Sequence, residues 1–130
     1  MSEQVIPNQS AVEKVVKSIF ELLFPSANTF SSVEIETKRN ELQKQVADLL
    51  EGLTEKSNEA SSQLFKNLGN IKKVLLKDAA FILESDPAAT KLIEVIAIYP
   101  GFFAIFCYRI ANFMALKGVP LFPRMITEYA

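Results

Sequence analysis

The sequence predicts an all-α protein, a bundle of six to seven helices, and three observations carry that reading. Apolar residues recur at helical spacing along most of the chain, as Val12, Val15, Val16, Ile19, Phe20 and Leu23 do. Two capping boxes, Ser10 with Glu13 and Ser31 with Glu34, each stand just ahead of such a run. No stretch alternates apolar and polar residues long enough to make a strand, and hairpin signals of the Asn-Gly or Asp-Gly type are missing.

The first helix follows the Ser10 box and is closed near Phe24 by Pro25. The second follows Ser31, and its thinner stripe of Ile35, Leu42, Val46, Leu49, Leu50 and Leu53 predicts a long helix that touches the body along one side, with Gly52 near its end. Residues 56–68 read as a separate helix anchored by Leu64, Phe65 and Leu68. Gly69-Asn70 then predicts a break, after which Ile71, Val74, Leu75, Ala79, Ile82 and Leu83 restore a helical face as far as Ser85.

Asp86 and Pro87 predict another helix start, because the carboxylate can accept free backbone N–H groups and proline fits the first helical position. Residues 88–98 are apolar nearly all round apart from Lys91 and Glu94, which predicts burial on several sides. Tyr99-Pro100-Gly101 ends that helix, since a residue before proline avoids helical angles, and a new one runs over 102–117. Its large apolar face holds Phe102, Phe103, Phe106, Ile110, Phe113 and Met114, opposite a ridge of Ala104, Ala111 and Ala115 that permits close approach of another helix or subunit. Gly118 suits the C-terminal cap and Pro120 blocks continuation. A last helix begins at Phe122 with Met125, Ile126 and Tyr129 as its contacts, and reads as cut short at Ala130.

Composition narrows the function classes. A chain of 130 residues with 49% hydrophobic and 22% charged residues suits one domain with a core. Fourteen basic residues against fifteen acidic ones, unclustered, give no footprint for nucleic acid. The N-terminal residues are polar and carry no signal peptide pattern. The apolar run 95–108 is interrupted by Pro100-Gly101 and falls short of the roughly 20 residues a membrane span needs. The single cysteine, Cys107, sits in that run with no histidine or lysine beside it and reads as a small buried apolar residue. These features predict a cytoplasmic protein without membrane or nucleic-acid partners.

The chain contains no histidine, one cysteine and four widely spaced glycines, so within these residues metal clusters, Ser-His-Asp triads and phosphate loops are excluded. No metal or cofactor site is expected. Three residues stand out. Asp86 reads from its position as a helix cap. Arg109 borders the phenylalanine-rich face and calls for a partner, with Asp86, Glu94 and Glu128 as candidates; a structural ion pair is favoured over ligand contact. Asp78 has the same ambiguity, and a solvated or structural role is favoured.

The motifs Asp86-Pro87-Ala88-Ala89, Glu94-Val95, Tyr99-Pro100-Gly101-Phe102, Tyr108-Arg109-Ile110-Ala111, Gly118-Val119-Pro120 and Pro123-Arg124 together resemble the N-terminal helical domain of bacterial serine O-acetyltransferases, of the hexapeptide-repeat acyltransferase family. The resemblance covers residues 71–130 well and the first seventy loosely. It implies a single helical domain over 1–130, with a variable part over 1–69 and a core part over 70–130. In the family the chain continues into a left-handed β-helix of hexapeptide repeats, and no such rhythm appears here.

The resemblance also implies an activity: transfer of the acetyl group of acetyl-CoA to the hydroxyl of L-serine in cysteine biosynthesis. The catalytic residues are expected in the β-helix, so none is assigned in these residues, which alone are expected to be inactive. Asp86 is expected to reach the active site and bind serine, or L-cysteine as inhibitor, with Arg109 and Asp78 in support. Homotrimers or dimers of trimers are implied, and O-acetylserine sulfhydrylase is an expected partner through a tail not present here. Where many family members carry histidines after the Tyr-Pro-Gly motif, this chain has Phe103, Tyr108 and Asn112. Two other readings stand beside it: a helical interaction module without an active site, and an acyltransferase with a different hydroxyl or amine acceptor.

Overall fold

The computed structural model describes residues 5–26, 31–88 and 90–130. Six helices follow one another: α1 Gln9–Leu23, α2 Ser32–Leu50, α3 Ser57–Ser85, α4 Leu92–Ile98, α5 Pro100–Leu116 and α6 Phe122–Tyr129. There is no strand among the described residues, as the sequence predicts.

α1 starts earlier than its capping box. The Ala11 N–H donates to Asn8 Oδ1 at 3.0 Å, so Asn8 is the N-cap and Ser10 lies inside the helix. Glu13 is instead held by Gln9, whose amide also donates to the Met125 carbonyl and ties α1 to α6. The second box forms at its predicted place, with the Glu34 N–H donating to Ser31 Oγ. Burial along α2 begins only at Leu42, however, and Val33 and Ile35 lie exposed.

The predicted break at Gly69-Asn70 does not occur. α3 runs unbroken through both residues for 29 residues, about 43 Å at the usual helical rise. A mid-helix glycine costs only about 1 kcal/mol, and the stripe of Leu64, Phe65, Leu68, Leu75 and Ala79 buries on both sides of it. Continuous burial outweighs the local penalty, and the described residues form six helices. Arg39 of α2 donates to the Phe65 carbonyl and lies over the Phe65 ring, fastening α2 to α3.

α4 also departs from expectation. Asp86 has extended angles (φ −112°, ψ 110°), Pro87 and Ala88 form a turn, and the helix starts at Leu92 rather than Pro87; Ala89, part of the motif, lies outside the described residues. The helix is seven residues long and buries only Val95 completely, while Ile93 and Ile98 are 69% and 70% exposed. A helix this short packs on α3 and α5 with one side and leaves the other open, so burial on several sides is not achieved.

The bend at Tyr99-Pro100 is present, and the axes of α4 and α5 meet at 74°. No single described helix is long and apolar enough to cross a membrane. α5 delivers the predicted face: Phe102, Phe106, Ile110 and Met114 are fully buried. Phe20, Phe24, Phe102, Phe103 and Phe106 stack mostly edge to face, with centroids 5.1–6.2 Å apart. Tyr129 of α6 closes this cluster against Phe103. Ala111 and Ala115 line a groove beside α6.

α5 ends in a Schellman motif. Gly118 takes φ 78°, its N–H donates to the Ala115 carbonyl and the Val119 N–H to that of Met114. After α2 the Val5 N–H donates to the Gly52 carbonyl, and a Cβ on residue 52 would stand 2.8 Å from Val5. The glycine after α2 is therefore a docking point for the N-terminal segment.

Candidate functional site

The turn that links α3 to α4 carries an oriented carboxylate. Asp86 ends α3, where its N–H donates to the Ile82 carbonyl at 3.0 Å. Pro87 forces extended angles on the residue before it, so the side chain swings back over the turn. Asp86 Oδ1 accepts the Ala88 N–H at 2.9 Å, an Asx turn rather than a helix cap. Asp86 Oδ2 accepts the Tyr99 hydroxyl at 2.7 Å. Both bonds favour the charged form, the one from Tyr99 more, and hold the carboxyl below its ordinary 3.8. In return, the bond to Asp86 raises the Tyr99 phenol above its ordinary 10.0.

The Tyr-Pro-Gly bend thus brings Tyr99 onto Asp86 from thirteen positions away. The sequence gives separate weight to the two motifs and misses this link. The available signal was a phenol at the end of a short helix that starts near an aspartate turn. Beside this pair, Glu94 accepts the Thr90 hydroxyl at 2.7 Å.

A second pair lies about two turns earlier on α3. Arg109 Nε donates to Asp78 Oδ2 at 2.6 Å and Arg109 Nη2 to Asp78 Oδ1 at 2.8 Å, a two-pronged clamp between α5 and α3. That bond raises the guanidinium pKa still further above its already high value. The expected partners of Arg109 were Asp86, Glu94 and Glu128, and the structure corrects this to Asp78. Asp86 is bonded to Tyr99, Glu94 to Thr90, and Glu128 to Arg124 at 2.8 Å. The sequence pairs by nearness to the motif, whereas the antiparallel packing of α3 on α5 decides.

Of the positions that depart from the family pattern, Phe103 joins the aromatic cluster, while Tyr108 and Asn112 are exposed. Tyr108, Arg109 and Asn112 line a hollow of about 190 Å³ with Asn70, Ile71 and Val74. Cys107 is fully buried, and burial pushes its thiol up to about 11. Among the described residues no group of three or more histidine, cysteine, aspartate or glutamate side chains is placed to hold a metal ion.

No family model matches the chain. It is similar to serine acetyltransferase of Synechococcus elongatus, 40% identical over 56 residues that make up 43% of this chain and 23% of that protein. The serine acetyltransferase of Synechocystis is 38% identical over 56 residues, 43% of this chain and 22% of the relative. A plasmid-borne serine acetyltransferase of Synechococcus elongatus is 32% identical over 76 residues, 58% of this chain and 24% of the relative. The chain spans about a quarter of the length of the curated relatives it matches. Among solved structures, Entamoeba histolytica serine acetyltransferase 1 in complex with L-cysteine matches with a TM-score of 0.71 at 24% identity, over 97% of this chain and 47% of that one. That likeness shows a shared fold. The resemblance drawn from the motifs is borne out by these relatives, all serine acetyltransferases.

Proposed function

We propose that these residues are the N-terminal helical part of a serine O-acetyltransferase, which moves the acetyl group of acetyl-CoA onto the hydroxyl of L-serine for cysteine synthesis. The observation that carries the proposal is Asp86: a half-exposed carboxylate at a turn, held ionised and with both oxygens anchored. Its remaining lone pairs are open to an ammonium group, and a charge-assisted bond to the amine of serine follows. The similarity to serine acetyltransferases supports serine as that amine. L-cysteine carries the same ammonium and carboxylate, so it would compete at the same carboxylate; the Entamoeba relative holds L-cysteine.

Proton transfer from the serine hydroxyl needs a base near neutral pH, and the chain has neither a histidine nor an accessible thiol. The base would therefore come from outside these 130 residues. The native assembly on this reading is a cytoplasmic homo-oligomer in which helical domains contribute contacts. Arg109 and Asp78 hold α5 on α3 behind the turn and act as supports rather than ligands.

A second reading, a non-catalytic interaction module, draws on Phe81, Ile98, Tyr108 and Leu116, all 67–78% exposed. The experiment that separates the two is serine-dependent release of CoA by the native protein, together with its intact mass. Turnover, and a KM for serine raised by Asp86→Ala far more than that for acetyl-CoA, support the acetyltransferase. No turnover from a protein of 14.5 kDa would leave the interaction module. Equal effects of Asp86→Ala on both substrates would remove Asp86 from the serine site.

A further inference from the structure

We propose that Tyr99 positions the Asp86 carboxylate, so that the aspartate turn and the Tyr-Pro-Gly bend form one receptor for the primary ammonium of an amino acid. This rests on the reading of Asp86 as an ammonium acceptor and assigns a role to a residue beyond it.

The terminal torsion of an aspartate is broad, so one hydrogen bond leaves the plane of the carboxylate loosely set. Asp86 has two. The Ala88 N–H holds Oδ1 from the turn, and the Tyr99 hydroxyl holds Oδ2 from the far side of α4. An ionised carboxylate only accepts, so the phenol is the donor. Its O···O distance of 2.7 Å is that of a charge-assisted bond. With one lone pair of each oxygen engaged, the pair left on each points away from its anchor, which suits an ammonium with three N–H donors.

The bend supplies the placement. Tyr99 ends α4 and precedes the first residue of α5, so its backbone is fixed by two helices that meet at 74°. A straight helix through this point would carry the side chain elsewhere. Glu94, which adds to the negative field around the phenol, has its own donor in Thr90 and leaves Tyr99 to Asp86.

The test is Tyr99→Phe, which removes one oxygen and keeps the ring. In the native protein the KM for L-serine is expected to rise about two- to tenfold, the cost of ordering one loosened side chain on binding. The KM for acetyl-CoA stays in place, the unfolding temperature falls by no more than it does in Asp86→Asn, and the acid limb of the serine profile moves to higher pH. A Tyr99 that is merely structural would raise both KM values alike, which overturns the proposal. So does an unchanged serine KM with an unchanged acid limb. If the wild-type protein does not use serine at all, the functional reading fails by itself. The clamp is then read from the ¹³C titration of the Asp86 carboxyl, whose midpoint rises in Tyr99→Phe if Tyr99 holds it and stays put if it does not.

Discussion

Arg109 and Asp78 join α5 to α3 through two parallel hydrogen bonds, 2.6 and 2.8 Å long, with side chains 39% and 20% exposed. The fork geometry sets this pair apart from the Arg124–Glu128 pair within α6, whose side chains are 76% and 62% exposed. A double-mutant cycle of Arg109→Met and Asp78→Asn is expected to give a coupling of roughly 1 kcal/mol, falling as salt is added. The same cycle on Arg124 and Glu128 should give a few tenths at most. Urea denaturation of the variants measures both; equal couplings would refute the ranking.

The aromatic cluster predicts an uneven cost of truncation. Phe106 is fully buried and meets both Phe20 and Phe103, so Phe106→Ala should cost about 3–5 kcal/mol. Such a loss is a large share of the stability of a domain this size. Phe113 is half-buried, and its truncation should cost clearly less. Chemical denaturation of the two variants orders them.

Cys107 should be inert in the folded protein. Its thiol is buried and pushed up to about 11, so at pH 8 only about one molecule in a thousand carries the thiolate. Alkylation by iodoacetamide is expected to proceed only as fast as the protein opens, and to become rapid in denaturant. Fast labelling under native conditions would contradict the burial of α5.

For Asp86 the sign of the pH dependence follows from the direction of its shift. Folding lowers its pKa, so the charged form stabilises the fold above the ordinary value of 3.8, and that contribution is lost as the pH falls below it. The urea midpoints of wild type and Asp86→Asn should differ by a constant amount from about pH 7 to about pH 5 and converge in more acid solution. A gap that widens on acidification would have the wrong sign.

Much of the fold was legible because burial dominates it. The face of α1 follows the 3.6-residue period closely, and α5 buries Phe102, Phe106, Ile110 and Met114 of its predicted face, but Phe103 and Phe113 stay half-buried and Ala111, placed on the opposite ridge, is buried. The Gly118 cap and the Pro100 bend were legible because few residues substitute for glycine or proline there. The miscast features are those where a local signal competes with packing. Ser10 stands at capping distance from Glu13, yet Asn8 captures the helix end first. Asp86 and Pro87 spell a helix start, yet the carboxylate finds a donor two residues on and a second thirteen residues on. The partner of Arg109 lies 31 positions away, and only the register of α3 against α5 brings it there.

Gly69 gives the sharpest test of that competition. It stands in mid-helix on an exposed surface, and a Cβ added there meets nothing within 4 Å. Alanine at this position should therefore gain the usual helix-propensity difference, roughly 0.5–1 kcal/mol, with no steric cost. Gly69→Ala is expected to raise the denaturation midpoint and to leave the ring contacts of Phe65 untouched. If Gly69 instead broke the chain into two helices, its freedom would be needed, and alanine would be neutral or harmful. A lowered midpoint would therefore restore the break and divide α3, and with it the single rod that carries Phe65 on one side of Gly69 and Asp86 at its far end.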